Sequence, residues 1–259
     1  MSRRIYVGLD IGSISSEALL LSEEGILSYS IMATGPNPKR ASRECLKEAL
    51  SKGGIGEESI SRVVATGYGR ISAPFKVKEM TEISCHARGS HFLFPRTRTV
   101  IDIGGQDSKV ITLDDRGRVT DFVMNDKCSA GTGRFLEVMA HALEVKLSEM
   151  GKRSLKTKKG VPITSMCTVF AESEVISLIA EGHGVEEILK GIHDSIARRI
   201  FRMTRRLRVR GEITISGGVA KNEGIVEALK NLFGMEINLP DEPQIVGALG
   251  AALYAKEMI

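Results

Sequence analysis

The strongest constraint on the fold of this chain is a motif that occurs twice. The stretch GLDIGSISSEALLLSEEG, from Gly8 to Gly25, has the same pattern as VIDIGGQDSKVITLDDRG, from Val100 to Gly117. Each reads as an apolar strand, Asp-Ile-Gly, a small polar turn, a second apolar strand and an acidic turn, closed by a glycine fifteen positions after the aspartate. Chance rarely reproduces both a pattern and its spacing. The repeat therefore predicts two related hairpins that face one cleft.

Composition bounds the class of protein. With 259 residues, of which 42% are apolar, the chain is long enough for one large domain or two small ones with real cores. It has no run of eighteen apolar residues, so we expect no membrane span. Its N-terminus lacks the pattern of a signal peptide, so we expect a cytoplasmic protein.

The net charge of +4 is modest, and much of it lies in residues 152–159 and in the arginines of residues 198–210. Aromatic residues make up only 5% and do not alternate with these arginines, so we expect no nucleic-acid partner. If the arginine cluster has a role beyond a solvated surface, docking of an acidic electron-carrier protein suits it better.

Strand and helix signals alternate in the order β-β-β-α-β-α, and the second half repeats this order with insertions. This predicts an α/β fold of two related lobes around a cleft, residues 1–95 and 96–259. We expect the C-terminal helix, 244–259, to pack back on the first lobe. Further helices are predicted at 79–90, 133–143, 169–180, 185–209 and 223–233.

The paired motifs predict a site for a magnesium–nucleotide complex. Asp10 and Asp102 would bind Mg²⁺ mostly through waters, because magnesium keeps much of its hydration shell. One of them, or Gln106, would orient the attacking water. Glycine turns let the backbone approach phosphate oxygens, and serine hydroxyls add donors. The candidate phosphate contacts are Gly12, Ser13, Ser15, Ser16, Gly104 and Gly105, and Gly217 and Gly218 are the candidate adenosine contacts.

Two of the four cysteines, Cys128 and Cys167, stand just before predicted helices. The free N–H groups and the dipole of a helix N-terminus lower a thiol's pKa and stabilise an anionic ligand set. Two thiolates are too few for a [4Fe-4S] cluster, but a twofold dimer would supply four. The alternative is two structural cysteines, since free cysteine is commonly buried. We assign Cys45 and Cys85 to packing.

Longer stretches resemble known families. The Asp-Ile-Gly pair and Gly217-Gly218 resemble the phosphate and adenosine motifs of the actin, hexokinase and Hsp70 ATPases, with ribonuclease H-like lobes. The segments NDKCSAGTGRFLEVMA, CTVFAESEVIS, ATGYGR, EISCHA and GALGAALYA resemble the activator (component A) of 2-hydroxyacyl-CoA dehydratases. That activator belongs with the ATPase subunits of benzoyl-CoA reductases.

This resemblance implies an anaerobic, oxygen-sensitive homodimer with one bridging [4Fe-4S] cluster, whose ligands carry over to Cys128 and Cys167. It implies that ATP hydrolysis to ADP drives one low-potential electron into a 2-hydroxyacyl-CoA dehydratase, with ferredoxin or flavodoxin as the electron donor. The turn Gly131-Thr132-Gly133 opens a helix three residues beyond Cys128 and is a candidate contact for the terminal phosphate. One departure is Glu17, where we expect the family to have a lysine near the phosphates.

Three other functions remain open at this point. The chain resembles the benzoyl-CoA reductase branch of the same family, in which the ATPase is a stable subunit. A sugar or N-acetylhexosamine kinase shares the same superfamily fold, but it has no need of two cysteines before helices. A nucleotide switch or filament protein of the actin type would bind no iron.

Overall fold

The computed structural model describes residues 4–74, 78–165 and 167–258. Its described strands form two five-stranded sheets, ordered β3-β2-β1-β4-β5 and β10-β9-β6-β7-β8. The strands are β1 (Ile5–Ile11), β2 (Ser15–Leu21), β3 (Ile26–Ala33), β4 (Ile60–Thr66), β5 (Lys78–Glu79), β6 (Thr97–Ile103), β7 (Ser108–Leu113), β8 (Val119–Asn125), β9 (Glu212–Ser216) and β10 (Ile237–Asn238).

Helices cover the faces of both sheets. They are α1 (Pro38–Gly53), α2 (Glu82–Leu93), α3 (Gly133–Ala142), α4 (Met150–Ser154), α5 (Thr168–Ala180), α6 (Val185–Thr204), α7 (Glu223–Phe233) and α8 (Val246–Glu257). Within the described ranges, no helix is both long and apolar enough to cross a membrane.

The two sheets repeat one topology. In the first sheet, β1 pairs antiparallel with β2 and parallel with β4; in the second, β6 pairs antiparallel with β7 and parallel with β9. Register places Glu17 and Thr66 on either side of Asp10, and Lys109 and Ser216 on either side of Asp102. Residues opposite each other in a sheet share a face, so each aspartate has a charged and a hydroxyl-bearing neighbour on its own side. The predicted α/β fold with two related lobes is confirmed.

The C-terminal helix α8 lies against the first sheet. It packs on β1, β4 and α2, and α2 also contacts β6 of the second sheet. Gly8 in β1 makes this approach possible, because a Cβ atom there would lie 1.8 Å from the carbonyl oxygen of Ala248. The division into lobes at residue 95 stays a prediction, and its outermost residues, 1–3 and 259, lie outside the described residues.

Of the helices predicted above, α2 and α6 show the largest differences in their boundaries. The helix predicted over 79–90 begins only at Glu82, because the Thr81 side chain accepts a hydrogen bond from the Ser84 amide and so caps the N-terminus. The helix predicted over 185–209 ends at Thr204. It is followed by a run of like-charged arginines, whose mutual repulsion disfavours a continued helix, and by Gly211 at φ +65°.

Candidate functional site

A cavity of about 1040 Å³ is lined by residues of both sheets. Asp10, at the end of β1, and Asp102, at the end of β6, lie in its wall and are almost completely buried. Nine other predicted site residues also line it: Gly12, Ser13, Ser15, Gly104, Gly105, Gln106, Gly133, Gly217 and Gly218. Ser16 does not, because its hydroxyl is buried against Thr34 Oγ1 at 2.8 Å. The lining does not include Gly131, Thr132, Cys128 or Cys167 either.

The two Asp-Ile-Gly motifs end in matching turns, which we call the first turn (residues 12–15) and the second turn (residues 104–107). In the first, the Gly12 amide donates to the Ser15 carbonyl oxygen at 2.9 Å. In the second, the Gly104 amide donates to the Asp107 carbonyl oxygen at 3.0 Å. Both turns lie at the cavity, as the repeat predicts.

Each aspartate is packed against a glycine that follows the neighbouring parallel strand. Gly67 has φ +89° and Gly217 has φ +86°, a region that side chains rarely adopt. A Cβ atom at Gly67 would lie 2.6 Å from Asp10 Oδ1, and one at Gly217 would lie 2.8 Å from Asp102 Oδ1. These glycines therefore leave room for the two carboxylates at the ends of their strands.

The two aspartates have opposite electrostatic environments. Burial, with the neighbouring Glu17 carboxylate, raises the pKa of Asp10 to about 8. Burial alone would also raise the pKa of Asp102, but His86 and Lys109 outweigh it and hold this pKa below its usual value. At neutral pH, without a bound cation, Asp102 is ionised and Asp10 is mostly protonated.

His86, in α2, lies between the two aspartates. Its Nε2 is 3.7 Å from Asp10 Oδ2, and its Nδ1 is 3.2 Å from Asp102 Oδ1 and 3.0 Å from the Ser216 hydroxyl. The same hydroxyl donates to Asp102 at 3.0 Å. The sequence alone indicates a structural role for His86, because EISCHA has no ligand pattern around it. The position of this histidine between the two carboxylates follows from the docking of α2, which the local sequence does not reveal.

Lys109, opposite Asp102 on β7, is another residue that sequence reasoning missed. Its ammonium lies 2.8 Å from Glu82, 2.8 Å from Asp107 and 3.3 Å from Asp102. Burial alone would lower the pKa of Lys109, but the three carboxylates raise it well above its usual value. The negative charge of Asp102 in the second Asp-Ile-Gly motif is thus balanced by Lys109 on the neighbouring strand. In the first motif, the residue opposite Asp10 is the acidic Glu17.

Glu17, the departure noted in the sequence, is buried in the cavity wall. It accepts a hydrogen bond from Gln244 Nε2 at 2.9 Å, and the same amide donates to the Ser15 hydroxyl at 2.8 Å. Burial raises the pKa of Glu17 to about 7, although its hydrogen bonds with Ser15 and Gln244 and the charge of Lys221 lower it. Gln244 therefore ties the residues before α8 to the first turn.

These donors suit a hydrated divalent cation held between the protein and a nucleotide. Asp10 is a buried carboxyl group, and within the described ranges the basic atom paired with it is His86 Nε2, at 3.7 Å. Residues 4–74, 78–165 and 167–258 hold no group of three or more His, Cys, Asp or Glu side chains arranged for a metal ion. Mg²⁺ commonly takes most of its ligands from phosphate oxygens and waters, with only one or two carboxylates from the protein.

The two candidate cluster cysteines come from adjoining segments. Cys128 is half-buried and Cys167, the N-cap residue of α5, is exposed; both are free thiols. The Ser129 and Thr168 hydroxyls, one residue beyond each cysteine, are 3.0 Å apart. By contrast, Cys45 and Cys85 are fully buried in apolar clusters of the first lobe.

The helix α5 presents an unusually apolar outer face. Val169 is 65% exposed, Phe170 is 68% exposed and Ile176 is 55% exposed. They lie on the helix that Cys167 caps, so a partner that covers this face would also cover the exposed thiol.

The segment that carries Cys128 also touches the cavity. The amide of Gly133 donates to the carbonyl oxygen of Gly104 at 2.9 Å, and that of Arg134 to the carbonyl oxygen of Gly105 at 2.9 Å. The start of α3 is thereby hydrogen-bonded to the second turn. The Cys128 segment, which we define as residues 125–133, joins this helix directly.

Comparison with known proteins places this geometry in a family context. Residues 7–255 match the family model described as the BadF/BadG/BcrA/BcrD ATPase family. The chain is 49% identical over 250 residues to the 2-hydroxyisocaproyl-CoA dehydratase activator of Clostridioides difficile, covering 96% of this chain and 94% of that protein.

Two solved structures agree closely with the fold. The crystal structure of component A of the Acidaminococcus fermentans (R)-2-hydroxyglutaryl-CoA dehydratase has a TM-score of 0.93 and 43% identity, covering 98% of each chain. The activator of the 2-hydroxyisocaproyl-CoA dehydratase from Clostridium difficile, with bound ADPNP, has a TM-score of 0.93 and 47% identity, covering 98% of this chain and 96% of that one.

More distant matches bear on the alternatives. One of the subunits of the benzoyl-CoA reductase of Thauera aromatica is 31% identical over 262 residues, covering 96% of this chain and 92% of that protein. A glucokinase of the ROK family from Streptomyces griseus is 14% identical with a TM-score of 0.59, covering 98% of this chain and all of that one, and this likeness shows the fold alone. The predicted relation to the sugar-kinase and actin-like ATPase fold is confirmed.

Proposed function

The chain belongs to the BadF/BadG/BcrA/BcrD ATPase family, and we propose that it is the ATP-driven activator that delivers one low-potential electron to a 2-hydroxyacyl-CoA dehydratase. Its relatives at 45–49% identity include proteins named as activators of such dehydratases. The observation that carries the proposal is the pair of backbone hydrogen bonds from Gly133 and Arg134 to the second turn. They connect the nucleotide cavity to the segment of Cys128.

We assign the nucleotide site to the cavity between the sheets. The first and second turns would face the phosphates of ATP or ADP, and Gly217 and Gly218 would face the adenosine. Asp10 and Asp102 would hold Mg²⁺ through waters, and Gln106 or one of these aspartates would orient the attacking water. Gly133 lines this cavity, which supports the predicted contact between the Gly131-Thr132-Gly133 turn and the terminal phosphate.

We assign one [4Fe-4S] cluster to a homodimer, with Cys128 and Cys167 of each protomer as its ligands. The donor set fits: both thiols are free, and they lie in segments that are hydrogen-bonded to each other through Ser129 and Thr168. The exposed apolar face of α5 fits a twofold interface that would bring four thiols together. When bound, the cluster supplies one-electron transfer at low potential.

The residues of the chain then account for the coupling. When the contacts with the terminal phosphate are lost, the second turn and the start of α3 move together because two hydrogen bonds join them. The Cys128 segment leads directly into α3 and therefore moves with it. Thr168, at the start of α5, is hydrogen-bonded to the same segment through Ser129. Nucleotide state thereby biases the position of both cysteine-bearing segments, which is the two-state element that coupling requires.

The partners follow from this assignment. The 2-hydroxyacyl-CoA dehydratase accepts the electron, and a ferredoxin or flavodoxin supplies it. We also propose that the protein is cytoplasmic, where ferredoxins and flavodoxins act, and that it works anaerobically, because oxygen attacks iron–sulfur clusters of low potential.

The test is anaerobic purification followed by iron and acid-labile sulfide analysis. About four of each per dimer are expected for the wild type, with loss in Cys128→Ala and retention in Cys45→Ala. Reduced protein with ATP should then activate a 2-hydroxyacyl-CoA dehydratase, whereas reduced protein with ADP should not.

Other outcomes would favour the alternatives. Stable co-purification with a reductase would favour the benzoyl-CoA reductase branch. An absence of iron after anaerobic reconstitution, together with ATP-dependent sugar phosphorylation, would favour a kinase. An absence of both iron and partner-dependent electron transfer would favour a nucleotide switch.

A further inference from the structure

Arg199, in α6, contacts the Cys128 segment through its side chain. Its Nη2 donates to Asn125 Oδ1 at 3.3 Å, and the Asn125 amide donates to the Cys128 carbonyl oxygen at 2.8 Å. The backbone of a candidate cluster ligand is thus connected to α6 through two side chains. No feature of the sequence singles out Arg199 from the other arginines of residues 198–210.

The stem of Arg199 packs beneath the same segment. Gly131 has φ +84°, and a Cβ atom there would lie 3.0 Å from Arg199 Cδ. The glycine therefore lets the turn adopt its conformation and also lets the arginine lie close to the backbone. The Cys128 segment is fixed at two points by one side chain, at Asn125 near its start and at Gly131 near its end.

Arg199 also carries an unused buried donor. Its Nε is inaccessible to solvent and has no hydrogen-bond partner among the described residues. A buried donor without a partner costs about 1–3 kcal/mol. In a segment that carries a candidate metal ligand, such a donor is available to an acceptor that arrives with the ligated group.

We propose that Arg199 is the residue that positions the Cys128 ligand and raises the reduction potential of the cluster. This rests on the proposed function above. An all-thiolate [4Fe-4S] cluster is anionic and gains one further negative charge on reduction. A fixed cation on the segment that holds the Cys128 ligand stabilises the reduced form more than the oxidised form, because nearby charge is an established determinant of cluster potential. A guanidinium does not lose its charge, so this contribution is constant at all working pH values.

Twofold symmetry would place Arg199 of both protomers beside a shared cluster. The effect of a substitution is therefore doubled in the homodimer. In addition, α6 is one long helix, so Arg199 gives the Cys128 segment a fixed support, and the second turn is hydrogen-bonded to the end of the same segment at Gly133.

The principal test compares Arg199→Gln, Arg199→Lys and Arg198→Gln in anaerobically purified full-length homodimer. Arg198 is the exposed neighbour on the same helix, so Arg198→Gln removes the same charge from a solvent-exposed position. The readout is an EPR-monitored redox titration at fixed pH. For Arg199→Gln we expect about a tenfold lower ratio of reduced to oxidised cluster at the wild-type midpoint, which is a shift of about 59 mV to lower potential. Arg198→Gln and Arg199→Lys should stay close to wild type.

A second measurement does not require the cluster. In cluster-free protein, amide hydrogen exchange of residues 126–132 should become about tenfold faster in Arg199→Gln and in Asn125→Ala, and should be unchanged in Arg198→Gln. This measurement keeps the positioning role testable if Arg199→Gln fails to assemble a cluster.

Unchanged potential and unchanged exchange in Arg199→Gln would overturn the proposal. An equal shift of potential in Arg198→Gln would also overturn it, because the effect would then be one of general surface charge. If the wild type holds no cluster but binds ATP, the proposed electron-transfer function fails, and the role of Arg199 in setting a potential fails with it.

Discussion

Gly133 donates its backbone N–H to the carbonyl oxygen of Gly104 at 2.9 Å, so the helix that follows Cys128 begins against the second turn of the nucleotide cavity. This contact is made by main-chain atoms and does not depend on a side chain that could be substituted. The two backbones approach closely at Gly133, where a Cβ atom would lie 3.3 Å from the Cα of Gly105 and 3.5 Å from the carbonyl oxygen of Gly104.

We therefore predict that Gly133→Ala weakens nucleotide binding by about tenfold. The added methyl pushes the start of α3 away from the second turn, and overpacking of this kind costs about 1–3 kcal/mol. Gly184→Ala is the control, since a Cβ atom there has ordinary contacts at 3.9 Å from Glu187. Isothermal titration with MgADP measures both variants, and equal affinities for the two would contradict the proposed coupling.

Lys109 is expected to be a major determinant of stability. We predict that Lys109→Met lowers the free energy of unfolding by about 3–5 kcal/mol, because it leaves Glu82, Asp102 and Asp107 without their buried cation. Part of the loss should be recovered at low pH, because burial raises the pKa of Asp107, which can then take up a proton and leave less uncompensated charge. Urea denaturation at pH 5 and pH 8 measures this.

The matched control is Lys52→Met, which removes an exposed ion pair with Glu48 on α1. Exposed pairs of this kind contribute little, so almost no change is expected. If Lys109→Met were as stable as Lys52→Met at pH 8, the buried network would not have the role that its geometry indicates.

The repeat, the two turns and the two aspartates were predictable because they depend on local pattern. Alternation of apolar residues and a fixed Asp-to-Gly spacing specify a hairpin wherever it occurs. The side chains that distinguish the two halves were not predictable in the same way. His86 reaches Asp10 and Asp102 only because α2 packs against both α8 and the second sheet. Gln244 reaches Glu17 only because the chain crosses back to the first lobe before α8.

Arg199 illustrates the same limit. In the sequence it is one of seven arginines between residues 198 and 210, and its neighbours Arg198 and Arg202 are exposed. Its different environment follows from the packing of α6 against the Cys128 segment. Charge patterning identifies the cluster of arginines, but only tertiary packing shows which of them is half-buried against the segment of a candidate ligand.

Glu17 should make the stability of the nucleotide-free protein depend on pH. Its pKa is raised from 4.5 to about 7 in the folded state, so between these values the folded protein holds a proton that the unfolded chain releases. The contribution of Glu17 to the free energy of unfolding is therefore most favourable below pH 4.5, and it is lost as the pH rises through 7. Between these two limits the free energy of unfolding changes by about 3 kcal/mol.

The check is urea denaturation in EDTA from pH 5 to pH 8 for the wild type and Glu17→Gln. The wild type should lose stability relative to the variant as the pH rises. Because Glu17→Gln also removes a negative charge from the cavity, MgATP should bind the variant more tightly at pH 8. Parallel stability curves would show that Glu17 ionises as easily in the folded state as in the unfolded chain.

The contrast between the two aspartates leads to a prediction about protons. Burial raises the pKa of Asp10 to about 8, so this carboxyl is mostly protonated at pH 7, whereas Asp102 is ionised. A divalent cation favours the carboxylate form, so binding of Mg²⁺ with ADP should release a proton from Asp10. Titration calorimetry in buffers with different ionisation enthalpies counts the protons released.

Three variants separate the sources of that proton. Asp10→Asn should bind MgADP weakly with little release, and Asp102→Asn should bind weakly but still release a proton from Asp10. Glu17→Gln should retain most of the release, which distinguishes Asp10 from its neighbour on β2. If Asp10→Asn released as many protons as the wild type, the protonated group would lie elsewhere. If instead release disappears only in that variant, the first Asp-Ile-Gly motif exchanges a proton for magnesium, while the second keeps its charge balanced by Lys109.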